Sequence, residues 1–236
     1  MKTVIASHLP KMAVHSLRQR GIHVFDFFPN MSAGEYVRHH ADLSFLYAGN
    51  KDLIIAREMA EYKDRFPGYH VFVLTETLSA AYPGDVKLNC VMLGKYLICN
   101  IDTVSPFVLQ YFKEKGRTVI PVRQGYTKCS VVPVTDNSLI TDDESIYDSC
   151  KAAGLDVLLV SKGSVKLDGF QYGFIGGASG KISKTEIAFN GDIHTHADCG
   201  NILKFLKKYG MSAVSLKDGP LYDIGSMIPL YEEEEM

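Results

Sequence analysis

The chain has 236 residues, 46% of them hydrophobic, and 25 Lys and Arg against 27 Asp and Glu, a formal net charge of -2. That is ample for a sizeable core, and so even a balance supplies no basic field for nucleic acid or an anionic membrane surface. No apolar run approaches the roughly 20 residues of a membrane span, the apolar part of "MKTVIASHLP" is too short for a signal peptide, and Cys90, Cys99, Cys129, Cys150 and Cys199, an odd set without CxxC spacing, read as reduced thiols of a cytoplasmic protein.

In chain order one pattern recurs. "KTVIAS" is a short strand, succeeded by an amphipathic helical stretch that stops at a glycine and turns at once into another apolar strand, "VHSLRQRG" then "IHVFDF". The same device appears in "REMAEYKDRFPG" and "YHVFVL", "VLQYFKEKG" and "RTVIPV", "YDSCKAAG" and "LDVLLV", "ILKFLKKYG" and "MSAVSL". The stop glycines, Gly21, Gly68, Gly116, Gly154 and Gly210, stand where a helix C-terminus needs a left-handed residue. Before each later helix comes a pair of strands. "LSFLYAGNKDLIIA" is expected to turn at Gly49-Asn50, "KLNCVMLGKYLICN" at Gly94-Lys95, and "CSVVPVTDNSLIT" at Asp136-Asn137. "TDDE" at Thr141 to Glu144 reads as a capping box, and "NIDTVSP" places Pro106 in a first turn.

The glycine-rich "YGFIGGASGK", residues 172–181, invites a phosphate-loop reading. Aligning Gly180-Lys181 with the G-K of a P-loop puts Ile175 where the first glycine belongs and Ile182 where the hydroxyl belongs. The next segment, "KTEIAFNGD", alternates like a strand rather than opening a helix. The stretch is better read as the strand-and-turn of the fourth unit, its glycines permitting a close backbone approach. "LYDIGSMIPL" near the C-terminus is then a first strand lacking its partner, and "KTVIAS" a second strand lacking its first; joined, they complete a fifth unit. The expectation is a single domain over residues 1–236, an α/β ring of five ββαβ units closed by the pairing of its terminal strands, with no free edge between first and last. Glu232 to Glu235 reads as a solvated tail.

Such a ring resembles the pentein, or guanidine-group modifying, superfamily over nearly the whole chain, closest to an uncharacterised bacterial branch carrying "KCS", "FIGGASG" and "DIGSMIPL"-like segments. The superfamily includes arginine and agmatine deiminases, dimethylarginine dimethylaminohydrolase and amidinotransferases, and a ribosome anti-association factor shares the ring without chemistry. The resemblance implies a cysteine that attacks a guanidine carbon, a histidine that moves protons, and carboxylates that grip the guanidinium. This chain departs twice from the enzymes' pattern. Ser226 stands before Met227 where they carry a cysteine, and "GGA" at Gly176 to Ala178 stands where they carry a GGD acid.

In such a ring the first strand of each unit starts near the axis, which would bring together "HHAD", "LNC", "KCS", "GFIGG" and "DIGS". The candidates are therefore Cys129 as nucleophile and His40 as proton carrier, with Asp42, Asn89, Lys128, Gly176, Gly177, Asp223 and Ser226 around the ligand. Cys129 before "SVVPV" also suits a core thiol. Lys128 could lower the thiol pKa, although neighbours in a strand point to opposite faces. His40 and Asp42, two apart, would share a strand face, as a proton-transfer pair or as a strand-end hydrogen bond. "DIHTHADC", residues 192–199, reads either as a metal tract through His194 and His196 or as a polar loop entering a helix, and is left out of the site. No cofactor or metal is expected. The leading reading is a central pocket for a small guanidino or amino-acid-like ligand, with cysteine-dependent hydrolysis. The alternatives are a non-catalytic ring for a protein or ribonucleoprotein partner and a degenerate enzyme kept as a ligand sensor.

Overall fold

The structure, a computed structural model, describes residues 2–230, so the acidic tail lies outside the described residues. Five three-stranded sheets repeat one connection: two strands antiparallel, a helix, then a strand parallel to the second. They are β3 (Phe45–Gly49), β4 (Asp52–Ile55) and β5 (His70–Val73); β6 (Val91–Leu93), β7 (Tyr96–Cys99) and β8 (Thr118–Pro121); β9 (Val131–Thr135), β10 (Ser138–Thr141) and β11 (Asp156–Leu159); and β13 (Ser179–Lys181), β14 (Glu186–Phe189) and β15 (Ser212–Ser215). The fifth joins the ends of the chain: β1 (Lys2–Ile5) lies between β2 (Ile22–Phe25), parallel to it, and β17 (Ile228–Leu230), antiparallel with Thr3 opposite Leu230. The architecture is mixed α/β, and the terminal pairing expected from the leftover half-units is present.

The middle strands carry continuous apolar runs because both of their faces are covered. Leu53, Ile54 and Ile55, Leu97 and Ile98, and Leu139 and Ile140 are all buried. Helices α1 (Lys11–Gln19), α3 (Pro106–Glu114), α4 (Glu144–Ala152) and α5 (Cys199–Lys208) bury one stripe each, for example Val108 and Phe112 of α3. All five stop glycines have positive φ, from 66° at Gly210 to 83° at Gly68 and Gly154. Pro106 opens α3 behind Ser105, whose hydroxyl accepts from the Phe107 amide at 3.2 Å. First strands of neighbouring sheets touch, β17 against β3, β6 against β9, β9 against β13, and β13 against β17.

Several local expectations need correcting. The crossover of the β3–β5 sheet is a 3-10 helix, Arg57–Arg65, not an α-helix, ending just before Pro67. Its hairpin turns at Asn50 and Lys51, one residue later than expected, with φ of 51° and 62°. The cap of α4 is Asp143, whose Oδ1 accepts from the Ile146 amide at 3.1 Å, while Thr141 ends β10. Only Ser179–Lys181 of the glycine-rich stretch is strand; residues 175–178 are turn. "LYDIGSMIPL" is split: β16 (Leu221–Tyr222) pairs in parallel with β12 (Val165–Lys166), β17 pairs with β1, and a loop carrying Asp223 to Met227 lies between.

Candidate functional site

The five candidate segments each lie just ahead of the first strand of their sheet. His40 and Asp42 precede β3, Asn89 precedes β6, Lys128 and Cys129 precede β9, Gly176 and Gly177 precede β13, and Asp223 and Ser226 precede β17. Strand starts from all five sheets converge, so residues spread over most of the chain meet. Asn89 organises the group. Its Oδ1 accepts from the amides of Lys128 (2.6 Å) and Cys129 (3.3 Å), while its Nδ2 donates to the Asp42 carbonyl (3.2 Å) and to Cys129 Sγ (3.3 Å). The Cys129 thiol donates to Asp42 Oδ2 at 3.1 Å. Ser226 Oγ lies 2.7 Å from the same oxygen and 3.0 Å from the Gly176 carbonyl, and accepts from Lys128 Nζ at 2.9 Å. Asp223 accepts from the amides of Phe174 and Gly225, both at 2.9 Å, and its Oδ1 is 3.8 Å from His40 Nε2.

Two side-chain placements expected from strand geometry change. Residues 127–130 form a turn, so Lys128 and Cys129 are not held on opposite faces, and both side chains reach the Asp42 region. His40 is the residue before a one-turn helix, α2 (Ala41–Ser44), and it is this turn that brings His40 and Asp42 to a common centre. Gly176 and Gly177 supply clearance. A Cβ on Gly176 would meet the carbonyls of Val131, Lys128 and Cys129 at 2.4 to 2.6 Å, and one on Gly177 would lie 2.0 Å from Asp223 Oδ1. The glycine-rich stretch is therefore scaffold pressed against the site.

Burial sets the electrostatics. His40 is pushed down to about 4, burial outweighing the pull of Asp42, so its ring is neutral at pH 7. Burial lowers Lys128 against the opposing carboxylates of Asp42 and Asp223. The Cys129 thiol is pushed well up, first by burial and then by those carboxylates. Asp223 rises to about 6 by burial. Among the described residues, Asp42 Oδ1 is buried with no hydrogen-bond partner.

A hollow of about 270 Å³ opens over this group, lined by His40, Cys129 and Asp223 and walled by Val37, Tyr126, Leu167, Tyr172 and Phe174. Tyr126 and Phe174 stack at 27°, and the Tyr126 hydroxyl donates to Asp85 Oδ2 at 2.5 Å. These wall residues are not singled out by the sequence, although the aromatics of "GYTKC" and "YGFIGG" flank two candidate segments. Nor is Asp142. Its Oδ2 accepts from the Ile175 amide at 2.9 Å, and burial raises it to about 7. Among the described residues, the group able to hold a metal is His40, Asp42 and Cys129, whose ligand atoms lie within 4.8 Å of one another. A nitrogen, an oxygen and a sulfur donor would suit a zinc-like ion. The tract at 192–199 makes no such group: Asp192 accepts from the amide and ring of His194, and His196 Nδ1 accepts from the Asp198 amide at 3.0 Å.

Residues 4–228 match one protein family over almost the entire chain. The chain belongs to the family of unknown function DUF6873. Among curated proteins no sequence matches it. Solved structures give the fold. A Campylobacter jejuni agmatine deiminase, a cysteine-to-serine variant with substrate bound, superposes with a TM-score of 0.60 at 9% identity, over 98% of this chain and 93% of that one. A dimethylarginine dimethylaminohydrolase from Pseudomonas aeruginosa, a cysteine-to-serine mutant complexed with citrulline, gives 0.59 at 9% identity over 97% and 99%. An inosamine-phosphate amidinotransferase from Streptomyces griseus gives 0.54 at 13% over 86% and 72%. The fold is that of the pentein superfamily. No helix among the described residues is long and apolar enough to cross a membrane.

Proposed function

We propose that the five sheets are the blades of one closed ring forming a single cytoplasmic domain, and that the hollow over Cys129 binds a small guanidino or amino-acid-like cation and hydrolyses it through that thiol. The observation that carries this is the Cys129 Sγ to Asp42 Oδ2 contact of 3.1 Å, its cysteine lining a hollow that His40 and Asp223 also line. The fold neighbours that act on guanidino groups support the substrate class. A guanidinium entering beside Asp223 places a positive charge near the thiol and favours the thiolate that burial disfavours. Cys129 Sγ then bonds to the guanidine carbon while its proton passes to Asp42. The tetrahedral adduct breaks a C–N bond, and the departing nitrogen takes that proton. Neutral His40 accepts a proton from the water that attacks next, the C–S bond breaks, and the thiolate regains a proton. The net change is guanidinium and water to a ureido product and an ammonium ion. Ser226 does not stand in for the missing last-unit cysteine in this reading: it does not line the hollow and is tied to Lys128, Asp42 and Gly176.

The test is mass-spectrometric alkylation of native Cys129 with and without agmatine, arginine or methylguanidine, alongside assays for released ammonium or amine. The expected result is protection of Cys129 by at least one of them, with turnover falling about a thousandfold or more in Cys129→Ser while the fold persists. Turnover that survives Cys129→Ser removes the thiol from the mechanism. Binding without turnover would make the site a ligand sensor. Protection by none, with Cys129 reacting only on unfolding, would return the thiol to the core and leave a partner-binding ring.

A further inference from the structure

A second hollow, of about 500 Å³, is formed mainly by the first strands of the sheets and shares Lys128 with the group beneath the first. Its volume suits a small ligand, for which roughly 300 to 1,000 Å³ is usual. Its walls are apolar, with Phe45, Leu88, Val91, Met92, Val134 and Ile228 among them. Its charges are one-sided. Lys128, Arg117, Lys181 and Lys184 line it against the single carboxylate of Asp136, in a chain whose net charge is -2. Lys184 is exposed, and Arg117, Lys128 and Lys181 are half-buried. An ammonium has three N–H donors. Among the described residues, one from Lys128 reaches Ser226 Oγ at 2.9 Å and no other protein acceptor receives the remaining two.

We infer that this hollow is a binding site for a small amphipathic carboxylate, its hydrocarbon body against the Phe45, Met92 and Ile228 walls and its head group on the Lys128 ammonium. Apolar area alone would accept any oily molecule. The half-buried ammonium with unspent donors selects an anion, because a charge-assisted hydrogen bond to it also offsets the partial desolvation of those donors. The cations nearer solvent attract the same sign of ligand and repel cationic amphiphiles. The two sites adjoin Lys128, but this one takes a ligand of the opposite charge and does not require Cys129 to react.

The experiment is titration calorimetry on the full chain with decanoate, decanol and decyltrimethylammonium. Decanoate is expected to bind one to one, and decanol about tenfold more weakly, the loss of one charge-assisted bond. Lys128→Met should erase the preference of decanoate over decanol, and Met92→Trp, which fills the hollow, should abolish binding of both. Equal binding of decanol and decanoate, no binding of decanoate, or decanoate binding untouched by Met92→Trp would overturn the assignment. If Lys128→Met does not fold, the decanoate-to-decanol ratio and Met92→Trp decide it on their own.

Discussion

Two tracts of this chain use the same side chains at the same spacing and end up doing different things. "HHAD", residues 39–42, and "DIHTHADC", residues 192–199, both offer histidine and aspartate two apart. In the first, His40 and Asp42 are buried, Asp42 receives Cys129 and Ser226 from other sheets, and one carboxylate oxygen has no partner among the described residues. In the second, Asp192 and Asp198 spend their oxygens on backbone amides of His194 and Ser161, His196 accepts from an amide, and the His194 side chain is 70% exposed. The second tract spends its carboxylates on backbone amides, its own and that of Ser161. The first draws side chains, Cys129 and Ser226, from elsewhere in the chain, and that is what makes it the candidate site.

The largest break in this contrast should come from Gly225. Its φ is 70°, its carbonyl accepts from the Asp42 amide at 3.0 Å, and a Cβ there would lie 2.1 Å from the Cβ of His40. Gly225→Ala combines backbone strain with an overpacked core contact and should cost about 3 kcal/mol in urea unfolding. It should also displace His40 and Asp42, with loss of any agmatine protection of Cys129. A variant as stable as the parent would show that the backbone there yields freely and that the tract is not pinned.

The next effect is a pH dependence that the exposed tract should lack. His40 is held at about 4 against an ordinary 6.5, with Asp42 and His39 as its charged neighbours. Between these values the unfolded chain binds a proton that the folded chain refuses, so stability from this group is full above pH 6.5 and is lost as pH falls toward 4. The sign is reversed for Asp142, raised from 3.8 to about 7 with Lys162 and Asp223 as its charged neighbours. Its fold holds a proton that the unfolded chain releases, so its contribution is full below pH 3.8 and is lost as pH rises toward 7. The ceiling is about 3 kcal/mol for His40 and about 4 kcal/mol for Asp142. Unfolding free energies from pH 4 to 7 should therefore show Asp142→Asn gaining most relative to the parent near neutrality, and His40→Gln gaining most near pH 4. Parallel curves for all three proteins would mean these groups are not buried as described. The smallest effect belongs to His194→Ala, which should shift stability by no more than about 0.5 kcal/mol; a larger loss, or a zinc-dependent melting temperature abolished by this change, would make the second tract a site after all.

The repeat was legible because its markers are local. A helix stop at Gly116 or Gly210 needs positive φ whatever surrounds it, and a run such as "LIIA" is apolar throughout because a covered middle strand has no wet face. The half-units at the two ends gave the terminal pairing by subtraction alone. The candidate segments were legible for the same reason: each lies just before the first strand of a repeat. What the tertiary structure decided was how they meet. A turn at residues 127–130, rather than strand alternation, aims Lys128 and Cys129 together. Asn89 locks that turn from another sheet, and Asp142, Tyr126 and Phe174 join the site through contacts no spacing encodes. The opposite signs of the shifts at His40 and Asp142 likewise come from burial, which depends on every other segment being in place. Local conformation is set by short-range sterics and patterning, and so it can be read along the chain. The chemistry of a buried group depends on dielectric and distant partners, and only the folded arrangement supplies these.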